Sequence, residues 1–369
     1  MSVAPSTAIK TIINLVDLIS PVNYGIWHAA IATAGFLAES GVETWLVGPL
    51  EPGFSFPAGQ FPYVRFKEVQ VTSIVGAQAF FSEFDPAVTV VASHGCWQYP
   101  TRWGSYARTQ GFRWIYTPHG MLEPWSMAQK WLKKKIYFLA FERPMARRAS
   151  HVRAVGSPEL ANLQKHFSQA SLIPNGIYPT ELQAYRTMNQ MVQVLYLARL
   201  HHKKGVIPMV EAWKKSLLWK NTHYQLTIAG TDDGELAKLQ AILSRDPGNI
   251  RYVGAVFGTE KQKLFSQSAY YILPSLSEGF PTSVLEAMAA GLVPMITPGC
   301  NFPEAFDHQV AIPTMPTVNE IQNSFDSLVQ IDANQWAALS KNCRDFVAEH
   351  YTWPKIATMQ LHLYQTPET

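Results

Sequence analysis

The sequence has little that would support covalent, metal or membrane-spanning chemistry. Its three cysteines, Cys96, Cys300 and Cys343, are odd in number and far apart. No Cys-x-x-Cys or Cys/His spacing is present, which argues against a disulfide scaffold, a structural zinc site and a dithiol redox pair. A reduced, cytoplasmic compartment is therefore expected. No apolar run approaches the ~20 residues needed to span a bilayer. The N-terminal stretch MSVAPSTAIKTIINLVDLIS has a short apolar run interrupted by Asp17, and no small-residue cleavage site follows, so no secretory leader is expected. Gly-x-Gly-x-x-Gly occurs nowhere, which weakens a dinucleotide-dependent oxidoreductase. No short-period repeat or low-complexity tract is visible.

Apolar residues make up 47% of the chain and charged residues 15%, the composition of a packed globular protein. At about 100–200 residues per domain, 369 residues suggest two domains. The net charge of +3 is unevenly spread. Residues 1–178 hold 15 basic and 10 acidic side chains, and 179–369 hold 15 and 17. Such asymmetry suggests halves that face different partners.

Short runs rich in Val, Ile and aromatics alternate with helical patterns. TIINLV, ETWLVG, AVTVVAS and RWIYTP read as buried strands, with IWHAAIATAGFLAES as a helix after the first. The pattern restarts after residue 190 with VQVLYLARL, YQLTIAG, IRYVGAV, YYILPS and VPMITPG. Near-continuous apolar strands between helices predict an α/β protein of two doubly wound parallel sheets, one per domain. The Pro- and Asn-Gly-containing stretch 172–185 is the expected linker. In such sheets ligands bind beyond the carboxyl ends of the strands, so each strand end is a candidate.

Gly25 follows the first strand, where a glycine before a helix allows close backbone approach and the helix N-terminus attracts anions, although the residues alone favour an ordinary strand–helix turn. His94 and His119, each followed by glycine, end two strands of the same sheet. They are candidates for hydrogen bonding near the site, or satisfied turn histidines. Arg199 ends the first strand of the second half and Lys204-Gly205 opens the next helix. A guanidinium and an ammonium there suit a diphosphate, or form a solvated basic loop. The stretch SEGFPTSVLEAMAAGLVP places Glu278 before a turn and Glu286 in a helix. Ser283-Val284-Leu285-Glu286 reads as a capping box, which would give Glu286 a structural role. Glu278 has no such explanation. Two carboxylates that accept from sugar hydroxyls, around a turn whose amides receive an anion, make a coherent nucleotide-sugar site.

At these residues the chain resembles the retaining GT-B glycosyltransferases of family 4. PSLSEGFPTSVLEAMAAGLVPMI is similar to their E-x7-E region. ARLHHKKGV, LIPNGI, TPHGMLEPW and YTWPKIATMQLHLY extend the resemblance over nearly the whole chain. The resemblance implies a GT-B fold with a Rossmann-like domain at 1–178, a nucleotide-sugar domain at 179–350, and a helix at 351–369 crossing back. It implies that Arg199 and Lys204 bind the donor pyrophosphate and that Glu278 holds the donor sugar. Glu286 would bond the ribose, and Gly279, Phe280, Pro281, Thr282 and Ser283 would form the phosphate turn. His119 would reach the donor sugar, Gly25 would let the first loop close on the phosphates, and Val253 and Val256 would lie near the base. Two adjacent glycines are common in the family's first loop; here Tyr24 precedes Gly25. No Asp-x-Asp suited to a donor metal is present, Asp232-Asp233 reading as a turn, so neither metal nor cofactor is expected.

The acceptor side is less defined. Residues 125–153 interleave eight basic residues with Trp125, Trp131, Tyr137, Phe138 and Phe141. That composition suits an anionic membrane surface, a nucleic acid or a solvated helix face. With the resemblance, a glycan or lipid-linked glycan acceptor is expected, with peripheral contact at the inner membrane face and no nucleic acid. His94, Trp97 and Trp125 are the acceptor-contact candidates. The expected function is transfer of a sugar from a nucleoside diphosphate donor, UDP-glucose first, with retention, in polysaccharide biosynthesis. The alternatives are a GT-B nucleotide-sugar epimerase, a basic nucleic-acid-binding protein and a glycogen-synthase-like enzyme.

Overall fold

A computed structural model of the protein describes residues 8–70, 72–185, 187–188 and 190–366. The first seven residues of the N-terminal stretch and the last three of the C-terminal segment lie outside them. The chain divides into two compact units, residues 1–175 with 353–369, and residues 176–352. The change of unit at Asn175/Gly176 falls inside the stretch read as a linker.

The first unit holds seven parallel strands: β1 (Thr11–Val16), β2 (Glu43–Gly48), β3 (Val64–Glu68), β4 (Thr89–His94), β5 (Arg113–Thr117), β6 (His151–Ala154) and β7 (Ala170–Leu172), in the order β3-β2-β1-β4-β5-β6-β7. The second unit holds six: β8 (Val192–Leu197), β9 (Tyr224–Ala229), β10 (Ile250–Tyr252), β11 (Tyr270–Leu273), β12 (Val293–Ile296) and β13 (Ile312–Pro313), in the order β10-β9-β8-β11-β12-β13. The central strands β1, β4, β8 and β11 are almost wholly buried, which explains their unbroken apolar runs.

Sequence direction reverses across the sheet between β1 and β4 in the first unit and between β8 and β11 in the second. These are the positions where doubly wound sheets leave room for a ligand. The strand after β9 is shorter than IRYVGAV suggests, because Gly254 at φ 79 turns the chain out of the sheet. The helix after β1 is two helices, Tyr24–Ile31 and Ala34–Glu39. The C-terminal helix Trp353–Gln365 groups with the first unit, where the Arg113 guanidinium donates to the carbonyl of Tyr364.

The basic-aromatic segment is not one helix. Lys130 sits in the left-handed region at φ 53, and the chain continues as helix Trp131–Tyr137, a π-helical turn Phe138–Glu142 and helix Arg143–Ala146. The π turn carries one extra residue and points Phe138 and Glu142 inward. Trp131, Leu132, Ile136, Leu139 and Phe141 stay exposed. Arg153, grouped with this segment by composition, lies instead on β6 and is fully buried.

Candidate active site

In the second unit the site is built by loops that leave β8 and β11. After β8 comes the turn His202–Lys204, then Gly205 at φ 72 and the helix Val206–Lys215. A Cβ at Gly205 would lie 2.4 Å from the carbonyl oxygen of Pro274, so only glycine fits this crossing of the two loops. The loops are stitched together: Leu276 N–H donates to Lys203 O at 2.8 Å, and Ser275 Oγ lies 3.1 Å from the same carbonyl.

This places the Lys204 ammonium on both carboxylate oxygens of Glu278, at 2.6 and 2.7 Å, with the two side chains only 15% and 9% exposed. Ser275 Oγ donates to Glu278 Oε1 at 2.6 Å, and Asn301 Nδ2 to the Glu278 carbonyl at 2.6 Å. Burial lowers the Lys203 ammonium below its ordinary range; Glu278 opposes this, while Lys204 and Arg199 add to it. Arg199 is half exposed and pairs with Asp233 at 2.6 Å. Asp232 accepts the N–H groups of Gly234 and Leu236, as a turn residue does.

Glu286 is not a capping residue. The helix begins at Thr282 with Pro281 before it, so Glu286 lies in the second turn. The Ser283 hydroxyl is used elsewhere. Tyr271 Oη lies 2.9 Å from Leu197 O and 2.8 Å from Ser283 Oγ; with one proton it donates to the carbonyl and accepts from the serine. Glu286 instead accepts from Lys261 Nζ at 2.7 Å, a lysine on the helix Gly258–Gln267 that no local pattern singled out. Among the described residues, the N–H groups of Gly279, Phe280 and Ser283 have no backbone acceptor, and Pro281 has no N–H. The Phe280 ring faces the core, edge-on to Phe302 at 5.8 Å. Val253 is half-buried and Val256 buried, flanking Gly254, whose carbonyl accepts from Gly230.

In the first unit, His94, His119 and Asn14 form a chain across the ends of β1, β4 and β5. His94 Nδ1 is 2.9 Å from His119 Nε2, and His94 Nε2 is 3.1 Å from Asn14 Oδ1. Asn14 Nδ2 donates to Trp45 O, which leaves Oδ1 as acceptor. His94 therefore donates through Nε2 and accepts at Nδ1 from His119 Nε2–H. Burial lowers both imidazoles. His94 is pushed well down, with His119 and Arg153 adding to the effect, and His119 goes to about 3, with Arg153 adding. His94 is 1% exposed, so it holds His119 in place and is not an acceptor contact.

Glu159, buried, accepts from Gly120 N at 2.5 Å and Val155 N at 2.8 Å and so fixes the loop that carries His119. Burial pushes its carboxyl up to about 7. Trp97 adopts φ 74, its N–H donating to buried Glu142, and its ring lies against Tyr137 and beneath the Lys134 ammonium. Trp125 is half-buried on the short helix Pro124–Ala128. Gly25 lies inside the first turn of Tyr24–Ile31 rather than before it, and nothing within 4 Å would meet a Cβ there. Among the described residues, no group of three His, Cys, Asp or Glu side chains is placed to hold a metal.

Two family models match the chain in order: "Glycosyl transferase 4-like domain" over residues 25–176 and "Glycosyl transferases group 1" over 192–330. The amylovoran biosynthesis glycosyltransferase AmsK of Erwinia amylovora is 30% identical over 145 residues, 37% of this chain and 35% of that protein. The GDP-mannose:cellobiosyl-diphosphopolyprenol alpha-mannosyltransferase of Komagataeibacter xylinus is 25% identical over 63% of this chain and 60% of that protein. The chain thus spans about a third to three fifths of the length of these curated relatives. HepE of Anabaena, solved with UDP and glucose, superposes with a TM-score of 0.73 at 15% identity, over 95% of this chain and 98% of that one. The two sheets and this likeness establish the GT-B fold.

Proposed function

We propose that this chain, with the fold and both domain signatures of GT-B glycosyltransferases, transfers a sugar from a nucleoside diphosphate donor to a glycan or lipid-linked glycan with retention at the anomeric carbon. The donor we assign is UDP-glucose. The observation that carries the reading is the Lys204–Glu278 pair at the β8/β11 crossover, beside the open amides of Gly279, Phe280 and Ser283. An ammonium and backbone N–H groups suit the pyrophosphate, and the carboxylate beside them suits sugar hydroxyls.

In this reading Lys204 leaves Glu278 for the donor phosphate, and Arg199 adds a second positive charge. Glu278, freed, accepts from the sugar, and Glu286 accepts from the ribose. The bond from the anomeric carbon to the diphosphate oxygen breaks, and the acceptor oxygen bonds on the same face. The acceptor proton passes to the departing phosphate. Positive charge fixed in advance at the leaving group lowers the barrier. His119, neutral and held by His94, presents Nδ1 as an acceptor for a bound hydroxyl.

The face bearing exposed Leu132, Ile136 and Leu139, spaced four and three apart and flanked by Lys130, Lys133 and Lys135, is assigned to an anionic membrane surface. No helix among the described residues is long and apolar enough to cross a membrane. The reading is tested by incubating the protein with UDP-glucose and following UDP release, with NMR of the product's anomeric configuration. Inversion would end the retaining assignment. Failure to release UDP from any UDP-sugar, with release from GDP-mannose, would move the donor assignment to GDP-mannose.

A further inference from the structure

Each of the two carboxylates at the site meets a lysine, but not in the same way. Glu278 gives both oxygens to Lys204, at 2.6 and 2.7 Å. Glu286 gives only Oε1 to Lys261, at 2.7 Å, and its Oε2 accepts from no group among the described residues. A phosphate that takes Lys204 must part the first pair. A hydroxyl can reach Glu286 Oε2 while Lys261 stays where it is.

The second pair is held from both sides. Lys261 ends the first turn of the helix Gly258–Gln267, and Glu286 lies in the second turn of the helix Thr282–Ala289. The Lys261 ammonium lies over the buried Phe265 ring, one turn on and 5.8 Å from its centroid, so packing within its own helix sets its aim. A second carboxylate feels the same ammonium. Glu181, in the turn Pro179–Glu181, accepts the Tyr178 N–H at 2.6 Å. Burial raises its carboxyl, the Tyr178 N–H lowers it, Glu286 raises it and Lys261 lowers it. Lys261 is thus shared by two acidic side chains that repel each other. The Lys261 and Glu286 side chains are only 29% and 19% exposed, so salt screens the pair less than it would a surface one. A glutamate fixed in advance accepts a hydroxyl without losing further rotamer freedom, which an unheld one gives up on binding.

We propose that Lys261 is a positioning residue for the donor: it holds Glu286 turned so that Oε2 accepts from the ribose, and so sets how strongly a ribose is preferred to its deoxy analogues. This role rests on the donor reading of the Lys204–Glu278 loops.

The test is isothermal calorimetry of the full chain with UDP, 2′-deoxy-UDP and 3′-deoxy-UDP. Wild type is compared with Lys261→Met, which keeps an apolar stem over Phe265, and with Lys261→Arg, which keeps the charge. Wild type should bind UDP about tenfold tighter than at least one deoxy analogue, the value of a hydrogen bond to a charged acceptor. Lys261→Met should bind UDP about tenfold more weakly, with that ratio reduced to about twofold. Lys261→Arg should restore most of both. The KM for UDP-glucose should rise in Lys261→Met with a smaller change in kcat, since the ribose is remote from the bond that breaks. Tighter UDP binding by Lys261→Met would mean that lysine and ribose compete for Glu286, and overturns the proposal. Weaker UDP binding with an unchanged ratio marks a structural role and overturns it as well. Wild type that binds UDP no better than Lys261→Met overturns the role of Lys261 alone; wild type that binds none of the nucleotides overturns it together with the donor reading. A wild-type crystal soaked with UDP needs no variant: a ribose hydroxyl on Glu286 Oε2 with Lys261 still on Oε1 supports the proposal, and a parted pair overturns it.

Discussion

Replacing Glu278 by glutamine separates two roles that a simple binding residue would not separate. In the structure the carboxylate holds the Lys204 ammonium at 2.6 and 2.7 Å, mostly out of water. A charge-assisted hydrogen bond in such a place nets about 1.5–3 kcal/mol. A diphosphate that takes the ammonium restores most of that attraction but leaves the carboxylate to Ser275 and water. A residual cost of about 1–2 kcal/mol corresponds to UDP binding roughly 5–30-fold tighter in Glu278→Gln than in wild type. The same change removes the charged acceptor for the sugar, so the gain of UDP-glucose over UDP should shrink by about tenfold. Isothermal calorimetry with both ligands on both proteins reads the two effects. UDP affinity that is unchanged or lower in Glu278→Gln would refute the competition between carboxylate and phosphate for Lys204.

Four further outcomes are expected. Alanine at Arg199 or Lys204 should lower kcat by about 10²–10³-fold with a smaller change in KM, since a charge acting on the leaving group is lost. Gly104→Ala should destabilise the first unit by about 1–3 kcal/mol in urea unfolding, because its Cβ would sit 2.1 Å from Trp114 Nε1, which donates to Ser93 Oγ. His119 titrates at about 3 in the fold against an ordinary 6.5, so the unfolded chain takes the proton first, and stability is full above about pH 6.5 and lost as pH falls toward 3. His119→Gln should reduce the rise of unfolding free energy with pH across that window; His94, also lowered, and Glu159, raised to about 7 and so of opposite sign between 7 and 4.5, are common to both proteins. Leu132→Ser/Ile136→Ser should abolish sedimentation with anionic vesicles, and wild-type binding should weaken as salt rises.

The parts legible in the sequence are those whose signal is local. The strands β1, β4, β8 and β11 are buried on both faces and declare themselves by apolar runs. β3, with its exposed Arg65, Lys67 and Glu68, and the three-residue β7 carry no such run and were not marked. Glu278 was legible because nothing nearby explained it. Lys261, which neutralises Glu286, was not, because the pair forms between helices 25 residues apart. His94 was read as an acceptor contact for the same reason: its partner Asn14 is 80 residues away on β1, and only the strand order brings them together. The capping box at Ser283 failed because Pro281, not Ser283, precedes the helix.

A crystal soaked with UDP tests the central claim most directly. The pyrophosphate is expected within hydrogen-bonding distance of Lys204 and the Gly279, Phe280 and Ser283 amides, with Glu286 on the ribose and the Lys204–Glu278 pair parted. Nucleotide bound away from these loops, or bound with that pair intact, would contradict it.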